Sequence, residues 1–148
     1  MRLPETTTRR IKRLFGFLVE DFDCRMVEAV RGTATHVTYA NRATFVRPTV
    51  ERGIEIYVQF GPLRDGTVPP YGPGWYDILD LAAARGEPVA ATSVAVGRRE
   101  LERCLGEHAD VLRRSGRDVL RGDFSVLPRL DAVQRARLET QHGYPPPQ

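Results

Sequence analysis

Apolar residues recur at helical spacing near the start of the chain. Ile11, Leu14, Phe15, Leu18, Val19 and Phe22 stand at i, i+3, i+4, i+7, i+8 and i+11, one face of a helix. Arg9, Arg10, Lys12, Arg13, Glu20 and Asp21 hold the other positions. Thr6, Thr7 and Thr8 precede the run, and a hydroxyl there can accept from the first free N–H groups. The pattern predicts one N-terminal helix after a short tail over residues 1–6.

Beyond Phe22 the period changes. Cys24 to Val30 reads as extended, with Cys24, Met26 and Ala29 pointing inward. Arg31-Gly32, Asn41-Arg42 and Arg52-Gly53 are turn signals. Between them lie Thr35 to Ala40 and Thr44 to Val50, both rich in β-branched and aromatic residues. Pro48 cannot donate to a ladder, so its strand should lie at an edge or be interrupted there. Ile54 to Phe60 alternates most clearly: Ile54, Ile56, Val58 and Phe60 against Glu55, Tyr57 and Gln59. Turns this short predict an antiparallel meander of three to four strands, because parallel pairing needs long crossovers.

Residues 61–75 break both periods with Gly61, Pro62, Gly66, Pro69, Pro70, Gly72, Pro73 and Gly74. A stiff loop of this length inside a compact domain is often functional. Trp75 and Tyr76 are expected to open a short helix with Asp77 and Asp80 in its early turns, stopping at Arg85-Gly86. Residues 89–96 fit either a short strand or a buried link. Gly97 starts a second strong helix with Leu101, Cys104, Leu105, His108, Val111 and Leu112 on one face. Gly116 interrupts it, and Val119 and Leu120 resume the pattern. A last helix spans about 128–140, with Leu127, Leu130, Val133 and Leu138 as its apolar side; residues 142–148 read as an exposed tail.

The fold class is therefore α+β: an N-terminal helix, an antiparallel meander, then C-terminal helices packed on one sheet face. Ile11, Phe15, Leu18, Phe22, Ile56, Val58, Leu101, Leu105 and Leu112 should form the core. No polar linker divides helices from strands, so 1–148 reads as a single domain.

Composition narrows the function classes only slightly. The chain has 148 residues, a formal net charge of +3, and Lys12 as its sole lysine. The arginine bias fits codon usage in a GC-rich bacterial genome first and phosphate recognition second. Leu14 to Val19 is too short for a signal peptide and runs straight into Glu20, Asp21 and Asp23. No apolar run could span a membrane. Cys24 and Cys104 stand far apart and read as small buried side chains, with a bridge or a reactive thiol as alternatives. A cytoplasmic location is expected.

Candidate chemistry is sparse. His36, His108 and His142 lack metal-ligand spacing, and no nucleophile elbow or phosphate-binding glycine motif occurs. No residue is assigned to catalysis or to a metal, and no cofactor is expected. The acidic groups Glu20, Asp21, Asp23 and Asp77, Asp80 read as solvated faces or helix-dipole partners. The basic groups Arg9, Arg10, Lys12, Arg13 and Arg113, Arg114, Arg117, Arg121 read as solvated helix faces, with nucleic-acid binding as the second reading. The aromatic end of the 61–76 loop offers the candidate binding residues Tyr71, Trp75 and Tyr76. Aromatic side chains dominate binding hot spots, and prolines would hold them rigid. The alternative is that Trp75 only covers the core beneath the loop.

Three stretches carry a resemblance: Leu14-Phe15-Gly16-Phe17-Leu18-Val19-Glu20-Asp21-Phe22, Trp75-Tyr76-Asp77-Ile78-Leu79-Asp80-Leu81 and Leu120-Arg121-Gly122-Asp123-Phe124. With the strands between them, they resemble a family of small uncharacterised bacterial, actinobacterial α+β proteins of unknown function. Some small α+β proteins of this kind act as immunity or interaction partners of toxins, an analogy of fold alone. The leading expectation is a non-catalytic protein-binding module that uses the 61–76 loop and the adjacent strands. The rivals are an arginine-dependent nucleic-acid binder and an enzyme whose site only folding assembles. Oligomeric state is left open.

Overall fold

The N-terminal apolar run folds as two helices, α1 (Thr7–Leu14) and α2 (Phe17–Phe22), in a computed structural model that describes residues 5–87 and 93–142. Thr6 caps α1, its hydroxyl accepting from the Arg9 N–H at 3.2 Å. The expected single helix breaks at Phe15-Gly16, where glycine weakens helix propagation. The break turns Phe17 inward, onto the rings of Phe15 and Phe22. A straight helix would have held Phe17 on the polar side. Val19 is correspondingly turned out, at 49% exposed, against the expectation of an inward face.

Five strands follow, rather than three to four: β1 (Arg25–Val30), β2 (Ala34–Ala40), β3 (Thr44–Glu51), β4 (Glu55–Pro62) and β5 (Tyr76–Asp77). They pair antiparallel in the order β1-β2-β3-β4-β5. The fifth replaces the expected helix start. Tyr76 pairs with Phe60 and puts its ring in the core, while the extended Asp77 caps α3 (Ile78–Ala84) by accepting from the Leu79 N–H at 2.7 Å. Ile54, expected to begin the alternation inside, lies in the β3–β4 turn and is exposed.

One strand expectation is met in its second form, and another changes. Pro48 sits in a central strand, and the ladder adjusts around it. The β2–β3 pairing runs from Ala34↔Glu51 to His36↔Thr49, lapses opposite Pro48 and resumes in register at Tyr39↔Val46. The missing N–H is tolerated by interruption. Every residue of β1 is exposed, Met26 included, although Cys24 just before it is buried. A bulge between Met26 and Glu28 bends this edge strand, a common device for blunting sheet edges.

The helices α3, α4 (Arg98–Ser115), α5 (Arg117–Leu120) and α6 (Leu127–His142) pack with α1 and α2 against the sheet. All nine expected core residues are buried in one cluster. Leu138 is not part of it: α6 is held through Leu130 and the Arg137–Asp80 ion pair, and Leu138 is exposed. Glu5 and Thr6 belong to the fold rather than a tail, since Glu5 accepts from Arg13 at 2.8 Å. Residues 1–4, 88–92 and 143–148, with most of both expected tails and half of the ambiguous link, lie outside the described residues. In the described part of that link, Ala95 donates to the Ile54 carbonyl and Val94 bridges Glu55.

Cys24 and Cys104 are both buried. His108 is fully buried; its Nδ1 lies 2.8 Å from the Cys104 carbonyl and its Nε2 has no hydrogen-bond partner among the described residues. Burial pushes its pKa below the ordinary 6.5, against the pull of that carbonyl. In the unfolded chain a histidine protonates as pH falls through about 6.5. The unfolded state therefore takes up a proton that the fold resists, and stability falls below that pH. Asp77 acts in the opposite sense. Burial raises its folded pKa from 3.8 to about 6, so its contribution weakens the fold as pH rises between those values. The expected result is that His108→Leu loses less of its urea midpoint than the wild type between about pH 7 and about pH 5. Equal losses in the two proteins would show that the imidazole is not held neutral.

Candidate functional site in the open face of the sheet

Strand alternation divides the sheet into two faces. Val37, Tyr39, Val46, Val50, Ile56, Val58 and Phe60 face the helices. The register aligns the opposite set in rows. Arg25, Ala40, Phe45 and Gly61 form one; Glu28, Thr38, Arg47 and Gln59 the next; Val30, His36, Thr49 and Tyr57 the third. The segment over residues 63–75 folds back on the first row.

That segment is built, not loose. Arg64 and Thr67 exchange backbone bonds at 2.8 and 3.1 Å around Asp65-Gly66, both at positive φ, the geometry of a tight hairpin turn. Trp75 lies on Phe45 with ring centroids 4.5 Å apart, and Leu63 and Val68 pack around them. The indole N–H donates to the Pro69 carbonyl at 3.1 Å. The absence of a side chain at Gly61 lets the Gly74 carbonyl lie against β4.

Around this small second core stands a polar and aromatic surface. The Arg47 guanidinium lies 4.7 Å over the Trp75 ring, and its Nε donates to the Thr38 hydroxyl at 2.7 Å. Tyr71, 74% exposed, stands 5.4 Å from Trp75, and its hydroxyl accepts from Gln59 at 3.5 Å. Tyr57 donates to Glu51 at 3.1 Å; burial and that carboxylate push its hydroxyl pKa up to about 12. His36 Nε2 and Glu28 Oε1 are 3.0 Å apart, which holds the Glu28 carboxyl below its usual range.

The first row runs into a groove of about 990 Å³ between the end of α2, the β2–β3 turn and α5. Arg25, Arg42, Arg121, Asp21, Asp23 and Leu63 are among its walls. Asn41 fixes this end: its amide donates to the carbonyls of Phe22 and Leu120, and its oxygen accepts from the N–H groups of Ala43 and Thr44.

The three expected binding residues do not share one surface. Tyr71 and Trp75 meet on the open face. Tyr76 points through to the helix side, 6.0 Å from Phe60, because consecutive extended residues alternate. Trp75 is buried: it covers a small core, as the alternative reading has it, and its ring lies beneath the Arg47 guanidinium. Arg47, Tyr57 and Gln59 were missed as site residues. The alternation around Ile56 and Val58 already set the last two on the polar side, and an arginine inside an apolar strand was a usable signal. Other charged clusters serve the fold. Arg10 and Arg13 reach Glu102 on α4. Arg113 stacks on Phe17, and the buried Asp80 accepts from Arg137 at 3.0 and 3.1 Å.

Among the described residues no helix is long and apolar enough to cross a membrane, and no three metal-ligating side chains cluster. No protein-family model, curated protein or solved structure matches the chain.

Proposed function

We propose that this protein is a non-catalytic binding module that grips a protein partner on the open face of its sheet. The observation that carries the reading is the combination of Tyr57, Tyr71 and Arg47 on that face, over a loop that Trp75 and Gly61 lock in place. Aromatic and arginine side chains supply most hot-spot energy at interfaces. A surface already rigid loses little conformational entropy on binding. The proposal includes a cytoplasmic location, where a buried thiol such as that of Cys24 stays reduced.

Affinity capture from extracts of the source cell tests it. The wild type and an Arg135→Glu control on α6 should recover the same partner. The double variant Tyr57→Ala, Tyr71→Ala should lose it by about tenfold or more, with circular dichroism unchanged. Equal recovery by a folded double variant would refute this surface.

A further inference from the structure

We infer that the segment gripped by the open face is acidic: an extended stretch of a partner protein whose carboxylates pair with Arg47 and with the arginines of the adjoining groove. The inference rests on the open face being the binding surface. Arg47 uses only Nε within the fold, and its two terminal amino groups have no hydrogen-bond partner among the described residues. It is partly buried, and that burial pulls its pKa down. Glu28 acts on it from a distance but is held by His36, and Arg47 forms no salt bridge among the described residues. A cation half out of water without a counter-ion is costly. Stacking on the indole and the bond to Thr38 fix the guanidinium plane, and that fork matches a carboxylate through two parallel bonds. Arg85 pairs with a carboxylate inside the fold, though through one nitrogen, its Nη2 meeting both oxygens of Asp118 at 2.6 and 2.5 Å.

Arg25 lies on the same face. It is opposite Ala40, which is opposite Phe45, two residues before Arg47. Two strand spacings and two residues separate Arg25 from Arg47 by about 12 Å, and an extended chain covers that in roughly four residues. Arg42 and Arg121 continue the series into the groove. Arg25, Arg42 and Arg121 form no salt bridge among the described residues, and Arg121 rests on the Phe22 ring. Asp21 and Asp23 stand exposed in the same groove as these cations. They oppose a backbone with a charge at every unit, such as nucleic acid. A peptide can set neutral residues beside them and carboxylates beside the arginines.

The chain has one tryptophan, so its emission reports directly on the Arg47 stack. The full-length protein is titrated with a peptide of alternating Glu and Thr, with the same peptide carrying Gln for Glu, and with oligothymidylate. The Glu peptide should change Trp75 emission saturably. Binding should weaken about tenfold or more for the Gln peptide and for Arg47→Gln. Arg47→Lys, which keeps the charge and loses the fork, should also weaken it, and Arg25→Gln should do so without disturbing the stack. No emission change with the Glu peptide, wild-type affinity in folded Arg47→Gln, or tighter binding of oligothymidylate would each overturn the inference. A partner captured through Tyr57 and Tyr71, yet equally by Arg47→Gln, would overturn acidic recognition alone and leave the binding face standing.

Discussion

Gly61→Ala should destabilise the protein by about 3 kcal/mol and release the loop that carries Trp75. A β-carbon at position 61 would lie 2.0 Å from the Gly74 carbonyl oxygen and 3.0 Å from the Phe45 ring. The first contact is with backbone, so no rotamer change relieves it. The loop must lift, which breaks the Trp75 bond to Pro69 and parts the indole from Phe45. For a chain of this size the melting temperature should fall by about 9 °C. Trp75 emission should shift to the red before global unfolding begins. A wild-type midpoint and wild-type emission would show that the loop does not close on β4 as described.

Asn41→Ala should cost a similar amount, about 3 kcal/mol, though the side chain contributes almost no apolar packing. Its amide joins three elements: the end of α2, the end of α5 and the β2–β3 turn. Each net hydrogen bond is worth about 1 kcal/mol, and the orphaned carbonyls and N–H groups add their desolvation penalty. Asn41→Asp keeps the acceptor and should still fail, because a carboxylate would face the Phe22 and Leu120 carbonyls. Thermal melts measure the loss. Amide exchange at Ala43 and Thr44 shows whether the turn has opened. If both substitutions melt with the wild type, these bonds do not anchor the groove.

Much of the helix-facing core was legible because burial there repeats with the local period. Leu101, Leu105 and Leu112 on α4, and Ile56 and Val58 on β4, fall where spacing alone put them. The same alternation that buried Ile56 and Val58 turned Tyr57 and Gln59 to the other side, so half of the open face was implied. Its centre was not. Arg47 stacks on Trp75 across 28 positions of sequence, and only the folded loop brings them together. The break after Phe15 was hidden for a related reason. A helical stripe through Leu14 and Leu18 satisfies the period, and only the tertiary contacts with Phe15, Phe22 and Arg113 reward turning Phe17 inward.

By itself, the order of apolar and polar residues determined that helices would lie over an antiparallel sheet, and which side chains would meet between them. Those choices depend on neighbours three, four or two positions away, which the chain carries locally. The tertiary structure alone decided that Tyr76 enters the core while Trp75 stays outside it, that β1 extends as an exposed edge, and that Arg47 forms no salt bridge among the described residues. Each of these depends on what stands across a gap from the residue, and contacts between distant segments leave no periodic trace in the chain.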